Sequence, residues 1–286
     1  MKGFRHWSVV IFFFTIYVAI CPSSRGFAHD TGQAYIVLGE STDLGVGATV
    51  PEKAWVSMFH KFLESSFFGS AADLHNYSVF GATVGDILRD QFAAALSDIA
   101  SHSPVVVSLG GGGNDLLQFI SSPQAVTCRM VNIQCVARLN ALLNNVESLL
   151  DQMVRRLRAA GPSNPILLRA EHNPFLKESC GGPSDDLAQL AKLVLEGSGN
   201  VPFLASGLND RIRDVAARYN AKVIEVFSLF ASNPNGLIAD DCIHPNDAGH
   251  AVIYAAAVLA FRQEEKHLGD LDFAPPTGRA TASGRS

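Results

Sequence analysis

The residues that could carry chemistry lie in four short blocks: Gly39-Glu40-Ser41, Asn76 to Gly81, Gly112-Gly113-Asn114-Asp115 and Asp241-Cys242-Ile243-His244-Pro245. Together they supply a hydroxyl, an imidazole, carboxylates and a side-chain amide. Nucleophilic acyl transfer needs that set: a hydroxyl to attack, a base to take its proton, a carboxylate to orient the base, and donors for the oxyanion. Each block also has a plainer reading. Glu40 to Asp43 would make a turn and helix cap, Gly81 a strand-end turn, Asn114 a cap, and His244-Pro245-Asn246 a turn ahead of a helix. A metal reading of Asp240, Asp241, His244 and Asp247 lacks a second ligand cluster, and neither Cys-x-x-Cys nor His-Glu-x-x-His occurs. The glycine run Gly110 to Gly113 lacks the Lys-Ser/Thr of a phosphate-binding loop, and no Gly-x-Ser-x-Gly elbow is present.

Positioning these blocks falls to strands that run into glycine. Ala34 to Leu38 is an apolar run ending at Gly39, and Pro104 to Leu109 ends at the glycine run; both read as buried strands delivering their carboxyl ends to a crevice. A shorter strand is expected over His75 to Phe80, another over Pro165 to Ala170 leading into His172-Asn173-Pro174, and a last over Lys222 to Val226. Helical spacing covers Pro51 to Phe67, Val84 to Ile99, Val136 to Ala160, Asp185 to Leu195, Pro202 to Tyr219 and Asp247 to Phe261. Strands alternating with helices imply an α/β fold, a three-layer α/β/α sandwich around a mainly parallel sheet.

The two ends read differently. Lys2, Arg5 and His6 precede an apolar run from Trp7 to Ile20, and Gly26-Phe27-Ala28 offers small residues for cleavage, so residues 1–28 read as a secretory signal peptide. The catalytic domain is expected over 29–268, and the Gly/Ser/Thr-rich end, 269–286, as a disordered tail. A net charge of −5 without a basic cluster gives no footprint for nucleic acid or for an anionic membrane surface, and no stable membrane insertion of the mature chain is expected.

Four cysteines follow the leader: Cys128, Cys135, Cys180 and Cys242. In an oxidising compartment an even number favours disulfides. The short Cys128–Cys135 loop favours that pair and leaves Cys180 with Cys242, where a bridge would pin the Asp241–His244 loop.

The four blocks, in this order, resemble those of the SGNH/GDSL hydrolases. Gly39-Glu40-Ser41 is similar to Gly-Asp-Ser, with Glu40 where the family has aspartate; Asn76 to Gly81 resembles the glycine block; Gly112-Gly113-Asn114-Asp115 matches Gly-x-Asn-Asp and Asp241 to Pro245 matches Asp-x-x-His-Pro. Asn173-Pro174 resembles a weaker signature. The resemblance implies a flavodoxin-like SGNH domain and a cofactor-free, metal-free serine mechanism. In it Ser41 is the nucleophile, His244 the base and Asp241 its orienter, with Asp240 as fallback. The backbone N–H groups of Ser41 and Gly81 and the Asn114 amide form the oxyanion hole. It implies a lipase or esterase, expected to be a monomer acting on a small-molecule or lipid ester, with a carbohydrate O-deacetylase or acyltransferase as same-scaffold alternatives. A noncatalytic binding protein is the different-class alternative.

Overall fold

The computed structural model describes residues 32–122, 133–197, 204 and 206–272. Five strands, β1 (Ala34–Leu38), β2 (Asp73–Asn76), β3 (Val105–Gly110), β4 (Ile166–Arg169) and β5 (Lys222–Ile224), form one sheet in the order β2-β1-β3-β4-β5. Every pairing is parallel. Burial on both faces is why β1 and β3 read as unbroken apolar runs. Alternate residues divide between two cores. Ala34, Ile36, Val105, Val107 and Ile166 face α4 (Phe92–Ser101), α6 (Ile133–Ala160) and α8 (Leu208–Arg218). Tyr35, Val37, Val106, Leu167 and Ile224 face α2 (Trp55–Leu63) and α11 (Asp247–Asp272).

Several boundaries differ from expectation for local reasons. β2 ends at Asn76, short of Phe80, where the Asn76 side chain donates to Asp43 O at 3.0 Å and accepts from Ser78 N at 3.0 Å, turning the chain off the sheet edge. The helix expected to continue to Phe67 widens into a π turn over Glu64–Phe68 and stops at Gly69. A second π turn, Ile87–Gln91, lies between α3 (Val84–Asp86) and α4. A helix not expected from the sequence, α5 (Gly113–Ser121), starts at the last residue of the glycine run. Two further helices of one to two turns, α9 (Phe227–Ser232) and α10 (Pro234–Leu237), are too short to give a periodic sequence signal. α7 (Asp186–Glu196) falls where expected, and α8 starts at Leu208, later than Pro202. α11 runs to Asp272, past the expected boundary at 268. The leader at 1–28, Cys128 and residues 273–286 lie outside the described residues. No helix among the described residues is long and apolar enough to cross a membrane.

From β1 the chain goes to β2 on one side and then to β3 on the other, so the order reverses between β1 and β3. In doubly wound sheets the crevice opens at that reversal, beyond the strands' carboxyl ends. Ser41 follows β1 and Asn114 follows β3.

Candidate active site

Ser41 opens α1 (Ser41–Leu44), a single helical turn closed by Gly45 in the left-handed region, with Glu40 as N-cap. Asp43 Oδ2 accepts from the Glu40 backbone N–H at 3.2 Å, so the turn that carries Ser41 is closed by its own side chain. Gln91 of the π turn clasps Gly39. Its Oε1 accepts from Gly39 N at 3.0 Å and its Nε2 donates to Gly39 O at 2.8 Å.

Ser41 Oγ lies 2.8 Å from His244 Nε2. His244 Nδ1 donates to Asp241 Oδ2 at 2.5 Å, and Asp241 Oδ1 accepts from the backbone N–H groups of Ile243 and His244, both at 3.0 Å. Burial would raise the Asp241 carboxyl, yet these hydrogen bonds outweigh it and hold the group below its ordinary value. Asp241 is therefore an anion aligned on the imidazole. Asp240 turns outward onto Lys177 Nζ at 2.7 Å and does not reach His244. Asp247 binds Lys53 and Thr49 instead, so the acidic residues around His244 are dispersed rather than gathered on one point. His250 is buried between Trp55 N and Val46 O.

The loop from Ile238 to Pro245 is fastened at several points. Ile238 and Pro245 pair as an antiparallel bridge, and Ala239 N donates to His244 O at 2.8 Å. Lys177 Nζ donates to the Ile238 and Ala239 carbonyls, each at 3.1 Å. Cys180 and Cys242 are joined by a disulfide with a Cα–Cα distance of 5.6 Å. Cys135 is also disulfide-bonded.

Asn114, in the first turn of α5, donates through Nδ2 to Ala82 O at 3.0 Å and to Glu40 Oε2 at 3.2 Å. The Ala82 contact ties the Gly81 turn to Asn114. Gly81 has φ +75°, and a Cβ there would meet nothing within 4 Å, so its backbone angle requires glycine rather than a crowded approach.

Glu40 explains its own departure from aspartate. Its Oε2 accepts from Ser41 Oγ at 2.9 Å as well as from Asn114, while Oε1 reaches Arg169 Nη2 at 2.5 Å. The extra methylene thus lets one carboxylate touch the hydroxyl, the amide and a buried cation at once. Burial alone would raise this carboxyl; Arg169 and the hydrogen bonds from Ser41 and Thr42 bring it below its ordinary value.

Arg169 is the residue the sequence reading passed over. Its side chain is fully buried at the end of β4, with Nε on Asp43 Oδ1 at 2.9 Å and Nη1 on Glu171 Oε2 at 3.1 Å. Room for the Asp43–Arg169 pair comes from two glycines. A Cβ on Gly39 would stand 2.2 Å from Asp43 Oδ2, and one on Gly110 would stand 2.4 Å from the same atom and 2.9 Å from Arg169. One guanidinium therefore serves three carboxylates. Glu171 yields: burial, aided by the Glu40 and Asp43 charges, pushes it up to about 7. Burial and Arg169 also push the neighbouring His172 down to about 4. Its ring is neutral, with Nε2–H donating to Ile243 O at 3.0 Å. Asn173 accepts from Phe175 N and donates to Ala188 O, a structural role for the Asn-Pro pair.

A pocket opens beside Ser41 and Asn114. Its wall is largely aliphatic, with Leu116, Leu117, Ile120, Val194, Leu195 and Ile243 among the lining residues. Phe80, largely exposed, stands 5.8 Å from the His244 ring.

Comparison with solved structures finds the same fold. A lipase, Lip_vut3, from a goat rumen metagenome aligns with TM-score 0.62 at 19% identity, over 80% of this chain and 97% of that one. LAE5, described as an alpha/beta hydrolase enzyme from the metagenome of Lake Arreo, aligns with TM-score 0.53 at 22% identity over 80% and 94%. Axe2, an acetylxylan esterase from Geobacillus stearothermophilus, aligns with TM-score 0.51 at 18% identity over 82% and 93%. No curated protein sequence gives a significant match. The model of the GDSL-like lipase/acylhydrolase family matches residues 37–252, a span that holds all four sequence blocks and the hydrogen-bonded chain from Ser41 to Asp241. With most of its length inside that match, this chain belongs to the GDSL-like lipase/acylhydrolase family.

Proposed function

We propose that this protein is a secreted serine hydrolase of carboxylic esters with an apolar acyl group, working through an acyl-enzyme on Ser41. The hydrogen-bonded line Ser41–His244–Asp241 at the edge of an aliphatic cavity carries this reading. As Ser41 Oγ bonds to the ester carbonyl carbon, its proton passes to His244 Nε2. Asp241 supports the imidazolium that forms. The carbonyl π electrons move onto oxygen, where the backbone N–H groups of Ser41 and Gly81 and the Asn114 amide receive the negative charge. His244 returns the proton to the departing alcohol as the tetrahedral centre collapses. Water then repeats the sequence and releases the acid and free Ser41.

Glu40 adds a constraint. The Ser41 hydroxyl has one proton and two acceptors in reach, and the Asn114 amide spends a donor on Glu40 Oε2. A bound ester carbonyl has to take that donor over.

The aliphatic wall supports acyl-chain recognition over a sugar. Export is supported by the Lys2-to-Ala28 pattern, and the Cys180–Cys242 disulfide fits an oxidising compartment. The test is hydrolysis of p-nitrophenyl esters from acetate to palmitate by purified protein, with Ser41→Ala as control. Turnover of medium or long chains that vanishes in the variant is expected. Turnover of acetate alone would move the assignment to a deacetylase, and equal turnover by the variant would overturn it.

A further inference from the structure

At the opposite end of the sheet from Ser41, three ligand-bearing side chains converge. Asp73 and His75 are alternate residues of edge strand β2 and so share a face, and His102 caps the C-terminus of α4. Asp73 is paired with Ala34, the first residue of β1, whereas Ser41 lies beyond the last. One ligand atom from each of Asp73, His75 and His102 lies within 4.8 Å of the others. His102 Nε2 is 3.5 Å from Asp73 Oδ2, and the two imidazole rings are 5.0 Å apart.

The second observation is how the rings are held from behind. His102 Nδ1 is 3.0 Å from the carbonyl oxygen of Asp98, which can only accept, so the proton sits on Nδ1 and Nε2 keeps its lone pair. His75 Nδ1 lies 3.1 Å from the carboxylate of the same Asp98. Its Nε2 is buried with no hydrogen-bond partner. A buried imidazole nitrogen with a bare lone pair costs free energy unless something electrophilic meets it. Metal-ligating histidines show this pattern, one nitrogen bonded to a carboxylate or carbonyl and the other to the ion.

We propose that Asp73, His75 and His102 form a binding site for a borderline divalent transition-metal ion of the zinc class, with Asp98 orienting both imidazoles. Two nitrogen donors and one carboxylate suit such an ion and disfavour calcium or magnesium, which take oxygen ligands. Water completes the coordination, since Asp73 is exposed. The ion would join edge strand β2 to the end of α4 and stiffen the strand that leads into the Gly81 turn. It takes no part in ester chemistry. The ligands at 73, 75 and 102 form no compact motif, which is why the absence of short zinc signatures did not expose them.

The experiment uses the untagged full chain, stripped with chelator and titrated with ZnCl2 by calorimetry, and with Co2+ by visible absorption. The expected result is one ion per chain at micromolar affinity or tighter, a Co2+ ligand-field band, and a Tm higher by several degrees at saturation. Asp98→Asn should weaken binding about 10- to 100-fold, as loss of an outer-shell partner does elsewhere. His102→Gln should abolish it. Asp73→Asn changes an exposed side chain that the fold does not depend on, and should weaken binding while Tm without metal and ester hydrolysis stay unchanged. Absence of stoichiometric binding, or binding that Asp73→Asn and His102→Gln both leave intact, would overturn the proposal.

Discussion

The base side of the site and the nucleophile side differ in how their supports hold them. On the base side, Asp241 and His244 share one loop, and its fastenings, the Ile238–Pro245 bridge, Lys177 and the Cys180–Cys242 disulfide, grip the backbone from outside. On the nucleophile side, the Ser41 turn rests on Arg169, Gln91 and Asn114, each brought in from another strand end or helix. The first arrangement places base and orienter in one covalently secured loop. The second is a buried charge cluster gathered on one cation. Loss of that cation leaves three buried carboxylates without compensation.

The sharpest way to break the nucleophile side is Arg169→Met. It leaves Glu40, Asp43 and Glu171 buried without their cation, and a loss of about 3–5 kcal/mol in folding stability is expected by denaturant titration. Asn114→Ala tests the donor that bridges to Glu40. A fall in kcat of roughly 10²- to 10³-fold with little change in Tm is expected, the size seen when one oxyanion donor is lost. On the base side, Cys180→Ser with Cys242→Ser opens a cross-link spanning 62 residues of sequence, which should cost about 2–4 kcal/mol of stability. Because the bridge grips the loop between Asp241 and His244, kcat should fall at temperatures where circular dichroism still reports a folded protein.

Proton linkage separates the two sides further. Glu171 has a folded-state pKa of about 7 against 4.5 for the ordinary group. A raised pKa means the folded state holds the proton more tightly, so this contribution is full below about 4.5 and is lost as pH rises through 7. Glu171→Gln should flatten that part of the stability–pH curve, measured by urea unfolding at stepped pH. The smallest effect is expected for Glu40→Asp, which shortens the carboxylate that competes for the Ser41 proton and the Asn114 amide. Removing one such hydrogen bond corresponds to about 1 kcal/mol, so kcat/KM should rise severalfold.

The same contrast governs what could be read in the sequence. Asp241 and His244 are three residues apart, and Ser41 follows an unmistakable buried strand, so type and spacing were enough to bring them forward. Asp43 looked like an ordinary cap residue and Arg169 like the polar end of a strand. Nothing local says that they meet across 126 residues, and Gly39 and Gly110 matter because of that meeting. Glu40 was visible as a departure from aspartate, but its reach to Asn114 needed coordinates. Gln91 was hidden because a π turn, not helical periodicity, aims it at Gly39. The alternation of strands and helices was legible because burial on both sheet faces leaves long apolar runs, while β2, at the edge and half exposed, was placed too late in the chain.

The most direct test of the central claim is labelling with a fluorophosphonate, read by mass spectrometry of the digested protein. The account predicts a single covalent adduct on Ser41, formed at a rate that falls by several orders of magnitude in His244→Ala, because nucleophile and base act as one unit. An adduct on a different residue, or undiminished labelling in His244→Ala, would contradict it.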